Sequence, residues 1–424
     1  MSQAAVRFGE SRTELLSDLL TLVPALQAAG VLQFPTVAQA APDKGKQTGV
    51  VTVPAPFATS HSRVSERLDE REFFERFIRH VQASGFHYRD VDLKAFHISV
   101  KCSDLTILTG LSGIGKSSLV RLYAEALAGE DQPGRARLLT VDVSPSWTEP
   151  PDVLGNVNLL DRRFEPGSCG LFNHLVSAAR EYAQAGSHSG MVLIALDEMN
   201  LAQVEHYFAG FIQALERPPP RDMAVFDRSA LNGEDPLREY ARLPLPPTLR
   251  MIGTVNFDET TRPLSQRLKD RSPILELSGE RHAGLQQPNN VPAVEGLPVL
   301  LADFHAWLGG EGQLPVQAGT LLDNLNPLLL RLGAPITARR ANGIRRLFAA
   351  GAPLLSSEQI LDIAIATRVL PLLRGLDRHS ARQDASRILE LLAAAPGGCR
   401  DSCQRLSLMI AQEQDEWQEL SEDE

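Results

Sequence analysis

The chain has 424 residues and a formal net charge of −10, with 42 Lys and Arg against 52 Asp and Glu. This length excludes a single small domain and allows two or three structural units, while the acidic balance excludes a bulk polyanion-binding surface, so any nucleic-acid contact has to be local. Ordinary apolar content (43%), few aromatics (6%) and plentiful Ala and Leu favour a helix-rich α/β protein.

No stretch is both apolar and long enough to span a bilayer, and no basic start followed by an apolar run opens the chain, so a cytoplasmic protein without a membrane partner is expected. Cys102, Cys169, Cys399 and Cys403 lack the spacing of a zinc knuckle and are expected to be reduced and unligated.

From Ser11, with Glu14 as a capping partner, SRTELLSDLLTLVPALQAAG carries Leu at amphipathic helical spacing. Residues 34–62 have the Pro, Ala, Gly, Ser and Thr composition of a linker, so 1–62 is expected to be a helix on a flexible tether. A second helix is predicted from Ser65 to about Ser84, where Phe73, Phe77, Ile78 and Val81 share one face and Gly85 supplies the stop.

Through residue 279 the short apolar runs LTILT, RLLTVDV, MVLIALD, LRMIGTV and PILEL alternate with helix-length segments. That rhythm belongs to a parallel sheet covered by helices, and it sets 63–279 as an α/β core. Strand patterns then stop. Leu-rich helical segments broken by Gly and Pro make 280–396 a helical lid, and 397–424, ending in EQDEWQELSEDE, is expected to be a solvated acidic tail.

The run LTILTGLSGIGKSSLVRLYAEAL places Gly110, Gly115, Lys116 and Ser117 in GxxxxGK[ST] spacing between a strand and a helix. Such a loop turns successive N–H groups toward phosphate oxygens, and the helix N-terminus adds a favourable dipole. Phosphate contacts are therefore assigned to Gly110, Ser112, Gly113, Ile114, Gly115, Lys116, Ser117 and Ser118, with Lys116 on the β- and γ-phosphates and Ser117 on Mg2+.

MVLIALDEMN ends an apolar strand in two carboxylates, which a parallel sheet sets beside the phosphate loop. Asp197 suits the Mg2+ shell, and Glu198 suits a general base that polarises water. LRMIGTVN ends in Asn256, an amide able to orient that water.

Several stretches resemble the McrB branch of the AAA+ superfamily, in particular stand-alone members without a modified-base DNA-binding domain. They are GFHYRDVDLKAFHISVK, GLSGIGKSSLVRLYAEA, SWTEPPDVLGNVNLLDRRFEPG, LDEMNLAQVEHYFAGFIQALE, IGTVNFDETTRPLSQRLKDRS, ITARRANGIRRL and LDIAIATRVLPLLRG. Together they cover most of residues 85–376, and LDEMNLAQVEHYF is the most specific.

The resemblance implies an AAA+ P-loop core with an all-α lid, a homo-oligomeric ring of hexamer type, and hydrolysis of ATP or GTP with Mg2+ between neighbours. It makes Asn256 a sensor, and Arg271 an arginine finger with Arg267 next. It makes Arg339 a second sensor linking nucleotide state to lid angle, with Arg340 as competitor. Residues 150–169 resemble an insertion that projects a hairpin toward the ring pore, with Arg162, Arg163 and Phe164 near its tip. By residue type a solvated hairpin turn fits these three equally well.

The GTP-using founder of the family carries an Asn-Thr-Ala-Asp-Arg-Ser type run after its sensor strand, where this chain has VNFDETT, so both bases stay open. Phe86 to Ile98 would contribute to a purine pocket or simply to packing. The chain has no nuclease cluster, so the resemblance implies a motor acting on DNA or on a separate McrC-like nuclease in a restriction or anti-phage system. The other reading is a MoxR-like chaperone that remodels protein partners.

Overall fold

Asp69 opens the first described helix, α1 (Glu70–Ala83), by accepting the N–H groups of Arg71 (2.9 Å) and Glu72 (3.4 Å) on its side chain. Phe73, Phe77 and Val81 are buried as their spacing requires, and Gly85 follows with φ +76°, a left-handed stop. The computed structural model describes residues 55–57, 67–130, 137–158, 163–218, 220–227, 236–256, 262–278, 294–310, 312–373 and 378–422. The chain divides into Met1–Val50 and a unit from Val51 to Glu424, and every described residue belongs to the second. The predicted helix from Ser11 lies outside the described residues.

After α2 (Asp90–Cys102), five strands correspond to the five apolar runs: β1 (Leu105–Thr109), β2 (Leu138–Asp142), β5 (Val192–Asp197), β8 (Leu249–Val255) and β9 (Ile274–Glu276). They form one all-parallel sheet in the order β2-β5-β8-β1-β9. β8, the fourth of these strands in chain order, thus lies between β1 and β5. Leu105 pairs with Met251, Leu196 with Gly253 and Asp142 with Asp197, so all C-terminal strand ends share one edge.

Alternation along each strand sends side chains to two cores. Leu193, Ala195 and Ile252 join one cluster with α1, α2 and α3 (Lys116–Ala128), while Val192, Ile194, Leu196 and Met251 join the other with α5 (Leu171–Ala185), α6 (Val204–Tyr207) and α7 (Ala209–Leu215). Each fully buried Phe, such as Phe73 or Phe77, contributes roughly 1.5–3 kcal/mol of transfer free energy.

Two antiparallel hairpins are added to this frame. β3 (Gly155–Asn158) pairs with β4 (Arg163–Pro166) after the short helix α4 (Pro150–Leu154), where the insertion is expected. β6 (Arg221–Ala224) pairs with β7 (Arg242–Leu245), and the sequence RDMA carries no apolar run that would have announced it.

Beyond β9 the described elements are helices: α9 (Leu301–Trp307), α10 (Val316–Arg331), α11 (Ala338–Gly351), α12 (Ser357–Arg368), α13 (Arg378–Ala393) and α14 (Arg400–Glu422). Thr337 caps α11, and Ser356 with Gln359 forms a capping box on α12. Ile344, Leu347, Ile360 and Leu361 share a cluster with Phe96 and Ile98 of α2.

Two expectations are corrected. The acidic tail does not begin at 397: Cys399, Ser402 and Leu406 are buried, and Asp362 accepts the N–H groups of Asp401 and Ser402 at 2.9 Å. Its acidic residues concentrate only from Glu413, and the preceding turns carry an apolar face. The linker assigned to 34–62 also holds one anchored residue, Phe57, whose ring meets His174 edge-on at 5.0 Å. Among the described residues, no helix is long and apolar enough to cross a membrane.

Candidate active site

The loop from Gly110 to Lys116 leaves β1 at the C-terminal sheet edge and enters α3. Gly110 has φ +142°, and a Cβ there would lie 2.4 Å from Ile114 Cδ1 and 2.8 Å from the Leu277 carbonyl. Gly115 has φ +88°, and its Cβ would meet Tyr88 Oη at 2.5 Å. Both positions therefore require glycine. Ser112 and Gly113 are exposed at the crest, Ile114 folds back toward Gly110, and Ser117 and Ser118 occupy the first turn of α3. Lys116 is 7% exposed, and its Nζ donates to the carbonyls of Gly110 (2.9 Å) and Leu111 (3.0 Å) and to Asn256 Oδ1 (2.7 Å).

The acidic side of the site adjoins this loop. Ser117 Oγ donates to Asp197 Oδ1 at 2.7 Å, and Thr254 Oγ1 donates to the same oxygen at 2.5 Å. The Thr254 hydroxyl also accepts the Glu198 N–H at 2.9 Å, and Asn256 Nδ2 donates to Glu198 Oε1 at 3.3 Å. Glu198 itself is exposed and left-handed, with φ +50°, a conformation that costs a non-glycine residue about 1 kcal/mol or more and tends to occur at functional sites. Gly253 makes room for Met199, since a Cβ there would lie 2.4 Å from its sulfur. Asn200, 1% exposed, donates to the carbonyls of Asn256 (3.0 Å) and Arg262 (3.1 Å), which ties the Asp197–Glu198 turn to the end of β8.

The donor chemistry fits Mg2+. Ser117 and Asp197 offer one hydroxyl and one carboxylate, both hard oxygens, and Mg2+ commonly takes only one or two protein ligands, keeping water and phosphate for the remainder of its octahedron. Among the described residues, no three His, Cys, Asp or Glu side chains gather into a protein-only cage, and such a site does not need one.

Phe86 and Tyr88 stack with centroids 6.1 Å apart, and Tyr88 Oη donates to the Gly115 carbonyl at 2.8 Å. Burial pushes the Tyr88 phenol above its ordinary pKa, so it stays a donor. The aromatics ahead of the loop therefore brace it from beneath, and Ile98 at the end of that segment is core.

The arginines lie at the other sheet edge. Arg271, at the end of α8 (Gln266–Arg271), borders a cavity of about 380 Å³ that is also lined by Asp104, Leu105, Glu216, Arg339 and Arg346. Asp104 and Leu105 mark the start of β1, whereas the phosphate loop leaves its end. Arg271 Nη2 and Arg267 Nη2 each approach Glu216 Oε1 at 2.5 Å. The hydrogen bond from Arg267, joined by the charges of Arg271 and Arg339, holds the Glu216 carboxyl below its ordinary pKa. Burial, reinforced by Arg339, lowers that of Arg271.

Three more residues assigned from the sequence have definite places. Arg339 shares this basic cavity at the edge opposite its own phosphate loop, because α11 begins against α8. Arg340, its competitor, is 2% exposed and ion-paired with Asp270. Phe164, one pair below the last hairpin pair, does not point outward, since strand alternation turns it inward, 2% exposed and 4.5 Å from the Phe172 ring, with Arg163 outward beside it. Arg162 lies outside the described residues.

Sequence reasoning passed over Thr254, Asn200 and Glu216. Thr254 did leave a trace, as a polar residue inside an apolar strand. Together the fold and site define an α/β protein with an all-parallel five-stranded sheet, compatible with a phosphate-loop core. No protein-family model matches the chain, and no curated protein aligns with it.

Proposed function

We propose that the chain is a nucleoside triphosphatase whose catalytic site is completed by a neighbouring copy. The observation that carries this reading is the convergence of Lys116, Ser117, Asp197, Glu198 and Asn256 on one edge of the sheet, linked by the hydrogen bonds from Lys116 to Asn256 and from Ser117 to Asp197.

Lys116 exchanges its carbonyl partners for β- and γ-phosphate oxygens, and the Gly110–Gly115 backbone cradles the rest. Ser117 and Asp197 would hold Mg2+, which would supply neutralisation of phosphate charge. Glu198 accepts a proton from the attacking water, and Asn256 holds the carboxylate and water in register. Arg271, on the opposite edge, serves the γ-phosphate of the next subunit.

Within this class the motif resemblance favours an McrB-type AAA+ ring that uses ATP or GTP and works with a separate McrC-like nuclease. Calorimetric titration with Mg-ATP and Mg-GTP tests the reading. The wild-type chain should bind one or both, and Lys116→Ala should bind neither. Equal affinity in the variant would remove the phosphate-loop assignment.

A further inference from the structure

The short helix α8 carries Arg267 and Arg271, yet of its six residues Leu268 alone is buried. A helix this short has little intrinsic stability, so contacts from outside must set its direction. Two of those contacts come from buried arginines of the C-terminal helices and fall on consecutive residues. Arg340 of α11, 2% exposed, pairs through its guanidinium with Asp270 and donates to the Pro335 carbonyl. Arg368 of α12, 4% exposed, donates Nη1 to the Arg271 carbonyl at 2.9 Å and Nη2 to Ser103 Oγ at 2.8 Å. Ser103 lies two residues before the start of β1, so Arg368 bridges the helices, the end of α8 and the approach to the sheet.

We infer that Arg340 and Arg368 are positioning residues that aim Arg271 at the neighbour's nucleotide, coupling the orientation of the C-terminal helices to catalysis in the next subunit. The side chain of Arg271 is held by Glu216, its backbone by Arg368, and the residue before it by Arg340. A rotation of α11 and α12 therefore moves α8 with them. Arg340 is occupied by its own subunit's Asp270, so its influence runs through α8 rather than through direct contact with phosphate. Arg368 reinforces this by satisfying a carbonyl at the helix end that has no intrahelical partner. The inference rests on the proposed trans role of Arg271.

The test uses the full chain with Asp270→Asn, with Arg368→Lys, and with the charge exchange Asp270→Arg/Arg340→Asp. Steady-state hydrolysis, nucleotide affinity and thermal midpoint are measured for each, alone and mixed with Lys116→Ala protein. Asp270→Asn and Arg368→Lys should lose about tenfold or more in kcat, a barrier rise of the kind a misaimed group produces, with affinity little changed. Mixing should restore activity, because the Lys116→Ala subunit lends a correctly aimed Arg271 to the partner's intact phosphate loop. The charge exchange should regain part of the loss.

A residue acting on its own subunit's nucleotide, or a purely structural one, would gain nothing from mixing. Unchanged kcat, or a loss that mixing does not repair while it repairs Arg271→Ala, overturns the inference. If Arg271→Ala itself hydrolyses normally, the trans reading fails and takes this inference with it. Should Asp270→Asn fail to fold, Arg368→Lys decides, since it keeps the charge and shortens the reach.

Discussion

Thr254 and Asp197 share a 2.5 Å hydrogen bond, and the same hydroxyl accepts the Glu198 N–H at 2.9 Å. One buried side chain on β8 thereby fixes both the carboxylate assigned to Mg2+ and the backbone of the candidate base. Asn256, two residues on and just past the end of β8, extends the link to Lys116, so the basic and acidic halves of the site are joined through the C-terminal end of a single strand.

Thr254→Val should therefore lower kcat while leaving the phosphate loop able to bind. It keeps the branched shape and removes the hydroxyl, which leaves the Glu198 N–H without its acceptor at a cost of about 1–3 kcal/mol. Thr254→Ser should recover most of the rate. Steady-state phosphate release and calorimetry decide: equal kcat in Thr254→Val would make the residue a strand filler.

For Glu198→Gln the expectation is retained nucleotide and lost turnover, because the amide keeps an oxygen for Asn256 Nδ2 and removes the base. A positioned general base contributes typically about 10²–10⁴-fold. Wild-type hydrolysis in this variant would reassign the base.

The same residues indicate how far the sequence carried. All five sheet strands were legible because each is a short apolar run; β1, β5 and β8 are buried almost throughout, while β2 at the sheet's edge leaves Thr140 and Asp142 exposed, and the loop motif then fixed which end of the strands holds the site. The place of Arg339 was not legible because a motif gives order along the chain, while the edge on which α11 begins is set by tertiary packing against α8. Phe164 was misplaced for a related reason: one residue of strand register decides whether a side chain faces solvent or core. Thr254 was passed over because a threonine in a strand is common, and only its distance to Asp197 distinguishes it.

His174 gives a pH-dependent prediction. Burial lowers its pKa from 6.5 to about 4, with Nε2 on the Arg137 carbonyl at 3.2 Å and the Phe57 ring at 5.0 Å. A depressed folded-state value means the unfolded chain takes up the proton first. His174 therefore leaves stability unaffected above the unfolded value and removes stability as pH falls from about 6.5 to about 4, by at most about 3 kcal/mol. Urea midpoints across this range should fall less steeply for His174→Gln than for the wild type. Parallel curves would place the acid sensitivity elsewhere.

The last prediction follows from the two edges of the sheet. Arg271 borders the cavity at the start of β1, and the phosphate loop leaves the end of the same strand, so the guanidinium faces away from its own nucleotide. If it contributes to catalysis, the phosphate it serves belongs to another copy, and hydrolysis requires assembly. Glu216, which holds Arg271 and Arg267 in the single chain, must then share or release them as the neighbour docks. Arg271→Ala should bind nucleotide nearly normally and hydrolyse it about 10³–10⁵-fold more slowly, the range for a missing arginine finger. Mixed with Lys116→Ala protein, it should regain activity, since an interface between the intact loop of one subunit and the intact Arg271 of the other is complete. Hydrolysis measured across mixing ratios should pass through a maximum that neither variant reaches alone. If the two variants co-assemble and no maximum appears, Arg271 does not act in trans, and Arg267, the more exposed partner of Glu216, becomes the residue to substitute.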